Sequence, residues 1–143
     1  MRHVNTGNCE KCDQIFNRYP GFHQGLRNFF KNLQKNNPEA HISCAGRGRK
    51  DQEKFYKSGA SRAHYGQSAH NVNMALDVFK LHHTGADWST EWFIHTLGKA
   101  IESHNTNTED FKIKWYGTPG SKFLEYPHCE VENWKNVTTL LVD

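Results

Sequence analysis

Leu26, Phe29, Phe30 and Leu33 recur at intervals of three and four residues, one face of a helix. The spacing predicts a helix over roughly 22–35, closed by Asn36-Asn37-Pro38. Residues 40–45, AHISCA, predict a short strand, followed by a flexible basic turn, Gly46-Arg47-Gly48-Arg49. A second helix over about 51–58 carries Phe55 and Tyr56 and stops at Gly59. The small and polar residues 59–69 read as a loop. The run from Met74 to Leu81 predicts a strand. A period of two places Met74, Leu76 and Val78 on one face, and Ala75, Asp77 and Phe79 on the other. Ser89 or Thr90 caps a third helix with Phe93, Leu97 and Ile101 in register, ending by His104-Asn105. Residues 110–115 alternate as a strand, 116–122 form a Gly/Pro loop, and 127–131 form another strand. Residues 137–142 predict a last strand or helical turn, and residues 1–21 an irregular N-terminal segment ending in the turn Tyr19-Pro20-Gly21. Helices before and between the strands imply an α+β fold, a small, largely antiparallel sheet with helices packed against it.

Length and composition narrow this picture without changing it. The 143 residues fit one domain, 1–143, and a hydrophobic content of 36% with 13% aromatics supplies a core. A net charge of +3 suits an anionic partner such as a cell-wall polymer or nucleic acid and singles out neither. No apolar run approaches a membrane span, and MRHVNTGNCEKC lacks the apolar stretch of a secretory signal. The expectation is therefore a protein made in the cytoplasm, not inserted in a membrane, and released only by another factor. Cys9 and Cys12 have the spacing of half a zinc knuckle, but no second close pair of Cys or His is evident. With Cys44 and Cys129 they are expected as reduced thiols, a redox or metal role for Cys9 and Cys12 being the minority reading.

Two segments carry candidate chemistry. In SAHNVNMALD, Asp77 sits in the apolar run 74–79, seven residues after His70. A carboxylate there is costly to bury without a positive partner. A metal ion with His70 as co-ligand would serve, and so would an ordinary ion pair with a Lys or Arg. The second segment, Leu124-Glu125-Tyr126-Pro127-His128-Cys129-Glu130, sets a histidine between two carboxylates. His70, Asp77 and His128 together make three protein ligands with one position left open, the pattern of a catalytic zinc site. A nearby glutamate would then act as general base. On a regular strand Glu130 shares the face of His128 and Glu125 does not, but a bend at Pro127 would bring Glu125 round.

Ser68-x-His70-x-x-Asn73-x-Ala75-x-Asp77 resembles the S-x-H-x-x-G-x-A-x-D motif of the zinc D,D-carboxypeptidase and L-alanyl-D-glutamate peptidase family. That family includes vancomycin-resistance-type carboxypeptidases and many phage endolysins. Glu125-x-x-His128 resembles its second motif, and Arg47 with Gln52 its G-Y-R-x-x-x-x-Q stretch. The segments come in the family's order over about residues 42–131. The resemblance implies a D,D-peptidase/Hedgehog-like fold with Zn2+ bound by His70, Asp77 and His128. It implies Glu125 as catalytic base, Arg47 holding a substrate carboxylate or polarised carbonyl, and Ser68 and Gln52 assisting substrate binding. Asn73 stands where the family has glycine; if φ is positive there, Asn is the least costly replacement. Ala45-Gly46 replaces Gly-Tyr before Arg47, which leaves Arg49 as a competitor. The expected substrate is the peptidoglycan stem peptide, cut at L-alanyl–D-glutamate by a monomeric phage endolysin that reaches the wall in the periplasm after release. The alternatives are a D-alanyl-D-alanine carboxypeptidase and a non-catalytic, metal-stabilised wall-binding module. A nuclease would need a second metal cluster or a phosphate loop, so no nucleic-acid partner is expected. His64, His82 and His83 read as loop residues, with His64 able to line the cleft, and the four tryptophans as core or cleft wall.

Overall fold

The computed structural model describes residues 1–117, 124–137 and 140–143. The predicted loop at 116–122 lies largely outside these residues, as do 138 and 139; the described residues 137 and 140–142 form neither the strand nor the helical turn expected there. The order is α1 (Glu10–Asn17), α2 (Gln24–Asn36), β1 (Ala40–Cys44), α3 (Arg49–Ser58), a 3₁₀ turn (Ala69–Val72), β2 (Ala75–His82) and β3 (Gly85–Asp87). There follow α4 (Thr90–Trp92), a π turn (Phe93–Gly98), α5 (Lys99–Asn107), β4 (Ile113–Tyr116), β5 (Glu125–Val131) and a second 3₁₀ turn (Trp134–Asn136). The sheet runs β1-β2-β5-β4 with β3 beside β2, and every pairing is antiparallel. This is the α+β architecture that the residue pattern predicts.

The alternation in β2 explains its central place. Leu76 and Val78 are fully buried, as are Phe30 and Leu26 from α2 and Phe93 and Leu97 from the π turn after α4, and all belong to one core. Asp77, on the other face, is only partly buried.

One expectation is corrected. Residues 1–21 are not irregular throughout, because α1 occupies Glu10–Asn17 and buries Cys12, Ile15 and Phe16. Those three residues hold one helical face within an otherwise polar stretch. Phe16 anchors them, its ring 5.2 Å from Phe22 and 5.8 Å from Phe30.

The regular strand pairing is broken at two places. Between β1 and β2, Ile42 faces Val78 but Cys44 faces Asp77, so β1 carries one extra residue at Ser43. Between β4 and β5, Trp115 faces Cys129 while Tyr116 faces Glu125. One step along β4 thus matches four along β5, and the extra residues fall at Tyr126-Pro127-His128. Pro127 has no N–H for the ladder, which is why the irregularity sits there.

Candidate metal centre

Asp77 and His128 are direct cross-strand partners in the β2–β5 pairing. That register places their side chains side by side on one face of the sheet. His70 arrives from the 3₁₀ turn before β2. The Ser68 hydroxyl accepts the His70 backbone N–H at 3.3 Å, and Asn73 closes the turn in the left-handed region, φ 61°. Asn73 thus stands where a glycine serves in the resembled motif, because Asn tolerates this conformation better than other side chains.

The three side chains converge on one atom. Asp77 Oδ1 lies 3.3 Å from His70 Nε2 and 3.2 Å from His128 Nδ1. Each imidazole is fixed through its other nitrogen. His70 Nδ1 lies 2.7 Å from the Ala45 carbonyl, which can only accept, so Nδ1 carries the proton and Nε2 is left bare in the neutral ring. His128 Nε2 donates to Glu130 Oε1 at 2.7 Å, leaving Nδ1 for the same point. Each imidazole thus turns a nitrogen lone pair toward the same carboxylate oxygen. The two oxygen–nitrogen distances match the separation of about 3.3 Å between neighbouring ligands of a tetrahedral zinc, and Asp77 groups within 4.8 Å with His70 and Cys44 on one side and with His128 and Glu125 on the other. Buried histidines tied at the far nitrogen to a carbonyl and a carboxylate are what a metal ligand set needs to hold its rings.

The electrostatics point the same way. Burial opposes charge on His70, but the Asp77 carboxylate and its hydrogen bond raise the imidazole to about 10. Burial likewise opposes charge on His128, but Asp77 and Glu130 raise it to about 9. Burial opposes ionisation of Asp77, yet the two imidazoles hold its carboxyl far below the ordinary range. The site demands positive charge, which either protons or a divalent cation provide. A raised folded-state pKa adds stability below the unfolded value of 6.5, and that stability is lost as pH climbs through the folded values. Zinc-stripped protein should therefore lose melting temperature from about pH 6.5 to about 10, while zinc-loaded protein holds its own, since metal replaces the protons. Melting curves with and without chelator across this range check it; a zinc-induced gain that shrinks as pH rises would contradict it.

Arg47 and Glu125 complete the centre. Arg47 Nη2 lies 3.6 Å from Asp77 Oδ2, so Asp77 has both the imidazoles and the arginine partner that its burial calls for. Arg47 Nη1 donates to Gln52 Oε1 at 3.2 Å, and its guanidinium lies 4.6 Å from the Phe55 ring. Arg49 instead lies over Tyr65, outside the cleft that Arg47 lines. A Glu125 carboxylate oxygen, a His128 ring nitrogen and an Asp77 oxygen lie within 4.8 Å of one another. The backbone break at Tyr126-Pro127-His128 is what turns Glu125 to this side, so the bend expected at Pro127 is present. Glu125 lines the cleft, of about 680 Å³, together with Arg47, Ser68, His70, Asp77 and His128.

Gln52 corrects an expectation. It is fully buried and does not line the cleft, so it is not placed to touch substrate. It accepts from Arg47 and Asn71 and donates to Ser61 Oγ and the Ala63 carbonyl. Gln52→Leu would strand several of these buried groups and is expected to cost more than about 2 kcal/mol in denaturant unfolding. Ser68 does line the cleft, though its hydroxyl is also engaged with the His70 backbone. Two residues without a motif of their own also belong here. Asn71, fully buried, donates to the Arg47 carbonyl at 2.9 Å, and Tyr116 reaches Glu130 Oε2 at 3.5 Å. Tyr116 has no local sequence signal; Asn71 has one, three residues after Ser68 in a capping box, but its bond to Arg47 depends on tertiary placement. Cys44 borders the same centre: its Sγ lies 3.8 Å from His70 Nδ1 and 3.4 Å from Arg47 Nη2, and it groups with His70 and an Asp77 oxygen within 4.8 Å. His64 pairs with Glu53, and neither it nor His82 or His83 lines the cleft.

The α+β fold is shared with a solved endopeptidase structure. The solved structure in question is the L-Ala D-Glu endopeptidase ChiX of Serratia marcescens, similar over 87% of this chain and 89% of that one, with a TM-score of 0.70. Identity is 15%, so the likeness is one of fold. No family model and no curated protein sequence matches the chain.

Proposed function

We propose that this protein is a zinc-dependent peptidase of peptidoglycan stem peptides that cuts the L-alanyl–D-glutamate bond, as a phage endolysin does. One observation carries the reading. Asp77 Oδ1 stands between His70 Nε2 and His128 Nδ1, with both rings anchored from behind, in a cleft that Glu125 and Arg47 also line. The activity named for the ChiX structure supports the choice of bond. Synthesis in a host cytoplasm, action on the wall after release, and a monomeric state belong to the same proposal.

His70, Asp77 and His128 would hold the ion, which when bound supplies Lewis acidity and a water that ionises near neutral pH. Glu125 accepts the proton of the attacking water and passes it to the leaving amine. Glu130 keeps the His128 ring oriented through Nε2. Arg47 offers a planar fork to a substrate carboxylate, and stem peptides are rich in carboxylates. Arg62 and Lys135 on the cleft lining add further cations for an anionic chain.

The test is digestion of purified stem peptide by zinc-loaded and chelator-treated protein, with the products weighed. Cleavage between L-alanine and D-glutamate that chelator abolishes and zinc restores is expected. Release of a terminal D-alanine would replace the reading with a carboxypeptidase. A folded, zinc-loaded protein that binds wall material without cutting it would replace it with a binding module.

A further inference from the structure

A second group of metal-ligating side chains lies apart from the cleft and shares no residue with it. His3, Cys9, Cys12 and His41 each offer one ligand atom, and the four atoms lie within 4.8 Å of one another. Cys9, Cys12 and His41 are fully buried, and both cysteines are free thiols. His3 Nδ1 stands 3.6 Å from Cys9 Sγ and 3.5 Å from Cys12 Sγ, and His41 Nδ1 stands 3.5 Å from Cys12 Sγ. With zinc–sulfur and zinc–nitrogen bonds of ordinary length, neighbouring S and N ligands of a tetrahedron are about 3.5 Å apart. All three sulfur–nitrogen separations meet that figure.

The surroundings prepare these atoms as ligands. His41 Nε2 lies 2.7 Å from Asn5 Oδ1; an amide oxygen accepts, so the proton sits on Nε2 and Nδ1 is left bare toward the cluster. Gln34, fully buried beneath it, directs Nε2 toward Cys12 Sγ at 3.5 Å while donating to the Ala40 carbonyl at 2.9 Å. Its Oε1 accepts the Cys9 backbone N–H at 3.4 Å. Burial pushes the Cys12 thiol up to about 12 against the opposing hydrogen bond from Gln34, so a thiolate there needs a cation beside it. Phe79 closes one side, its ring 5.1 Å from His3.

We infer that His3, Cys9, Cys12 and His41 form a closed structural site for a zinc-like divalent ion, which fastens the N-terminal segment and the start of α1 to β1. Two thiolates and two imidazoles make a soft, tetrahedral set with no position left for substrate. Cys9 and Cys12 supply the close pair, and the missing half comes from residues 3 and 41, brought in by the chain's fold. This site is independent of what the cleft does.

The experiment uses the full chain, with Co2+ as the probe ion. Wild type is expected to develop thiolate-to-cobalt charge-transfer absorption and the intense visible bands of tetrahedral cobalt. Asp77→Asn and Cys44→Ala should keep the charge-transfer band, and Cys9→Ser with Cys12→Ser should lose it. Zinc content should fall from about two ions per chain to about one in the double serine variant, counting one closed and one open site. His3→Cys guards against a double variant that does not fold: it preserves four ligands and should strengthen the charge-transfer band as two thiolates become three. Wild type without thiolate charge transfer would overturn the inference. So would a Cys9–Cys12 disulfide in freshly purified protein, read as a mass lower by two hydrogens, because the pair would then be a redox couple.

Discussion

Asp77→Asn is expected to reduce stem-peptide hydrolysis by about 10³-fold or more, with the backbone fold retained. Metal-assisted hydrolysis draws several kcal/mol from the ion, and each 1.36 kcal/mol is tenfold in rate. Asparagine keeps the shape of the side chain but removes the charge that draws a cation between His70 and His128. The cleft should lose its zinc, measured as metal content at unchanged circular dichroism. The variant also separates the two roles open to Asp77. If it served only as the partner of Arg47, 3.6 Å away, the substitution would lower stability and leave turnover intact. Wild-type rates with a full complement of zinc would remove Asp77 from the mechanism.

The second large effect distinguishes the two glutamates. Glu125→Gln should lower kcat by about 10²–10⁴-fold while the cleft keeps its metal, the signature of a lost general base. Glu130→Gln should act through His128, weakening metal affinity or activity by about 10–100-fold, because its carboxylate receives the His128 Nε2 proton at 2.7 Å. Excess zinc should therefore rescue much of the Glu130 variant and none of the Glu125 variant. The reverse pattern would exchange their roles. Turnover and metal titration on the same preparations read both quantities.

How much of the fold and the centre is legible in the sequence depends on whether the signal is local. The period of two in β2 places Asp77 opposite Leu76 and Val78, and the structure has it so, facing His128 across the strand pair. The helical face of α2 and the glycine stop of α3 are equally local. The face occupied by α1 is harder to see, because Cys12, Ile15 and Phe16 are three apolar positions among lysines, asparagines and acids. Gln52 looks like a partner for substrate because it follows Arg47 at a suggestive spacing. Its burial, and its four protein partners, follow from the packing of α3 against the turn that carries His70. The other half of the Cys9–Cys12 pair has no local mark, because His3 and His41 are far apart in sequence and meet only when β1 joins the sheet.

The break in β5 has a consequence for how such a centre can vary. Glu125 and His128 are an odd number of residues apart, so an unbroken strand would point them to opposite sides of the sheet. Straightening the strand, with every ligand and the glutamate retained, should turn the carboxylate away, as expected for Pro127→Val, which restores the missing ladder N–H. The break between these residues is thus under the same constraint as their chemistry. Substitution at Tyr126 should be tolerated far more readily than substitution at Pro127.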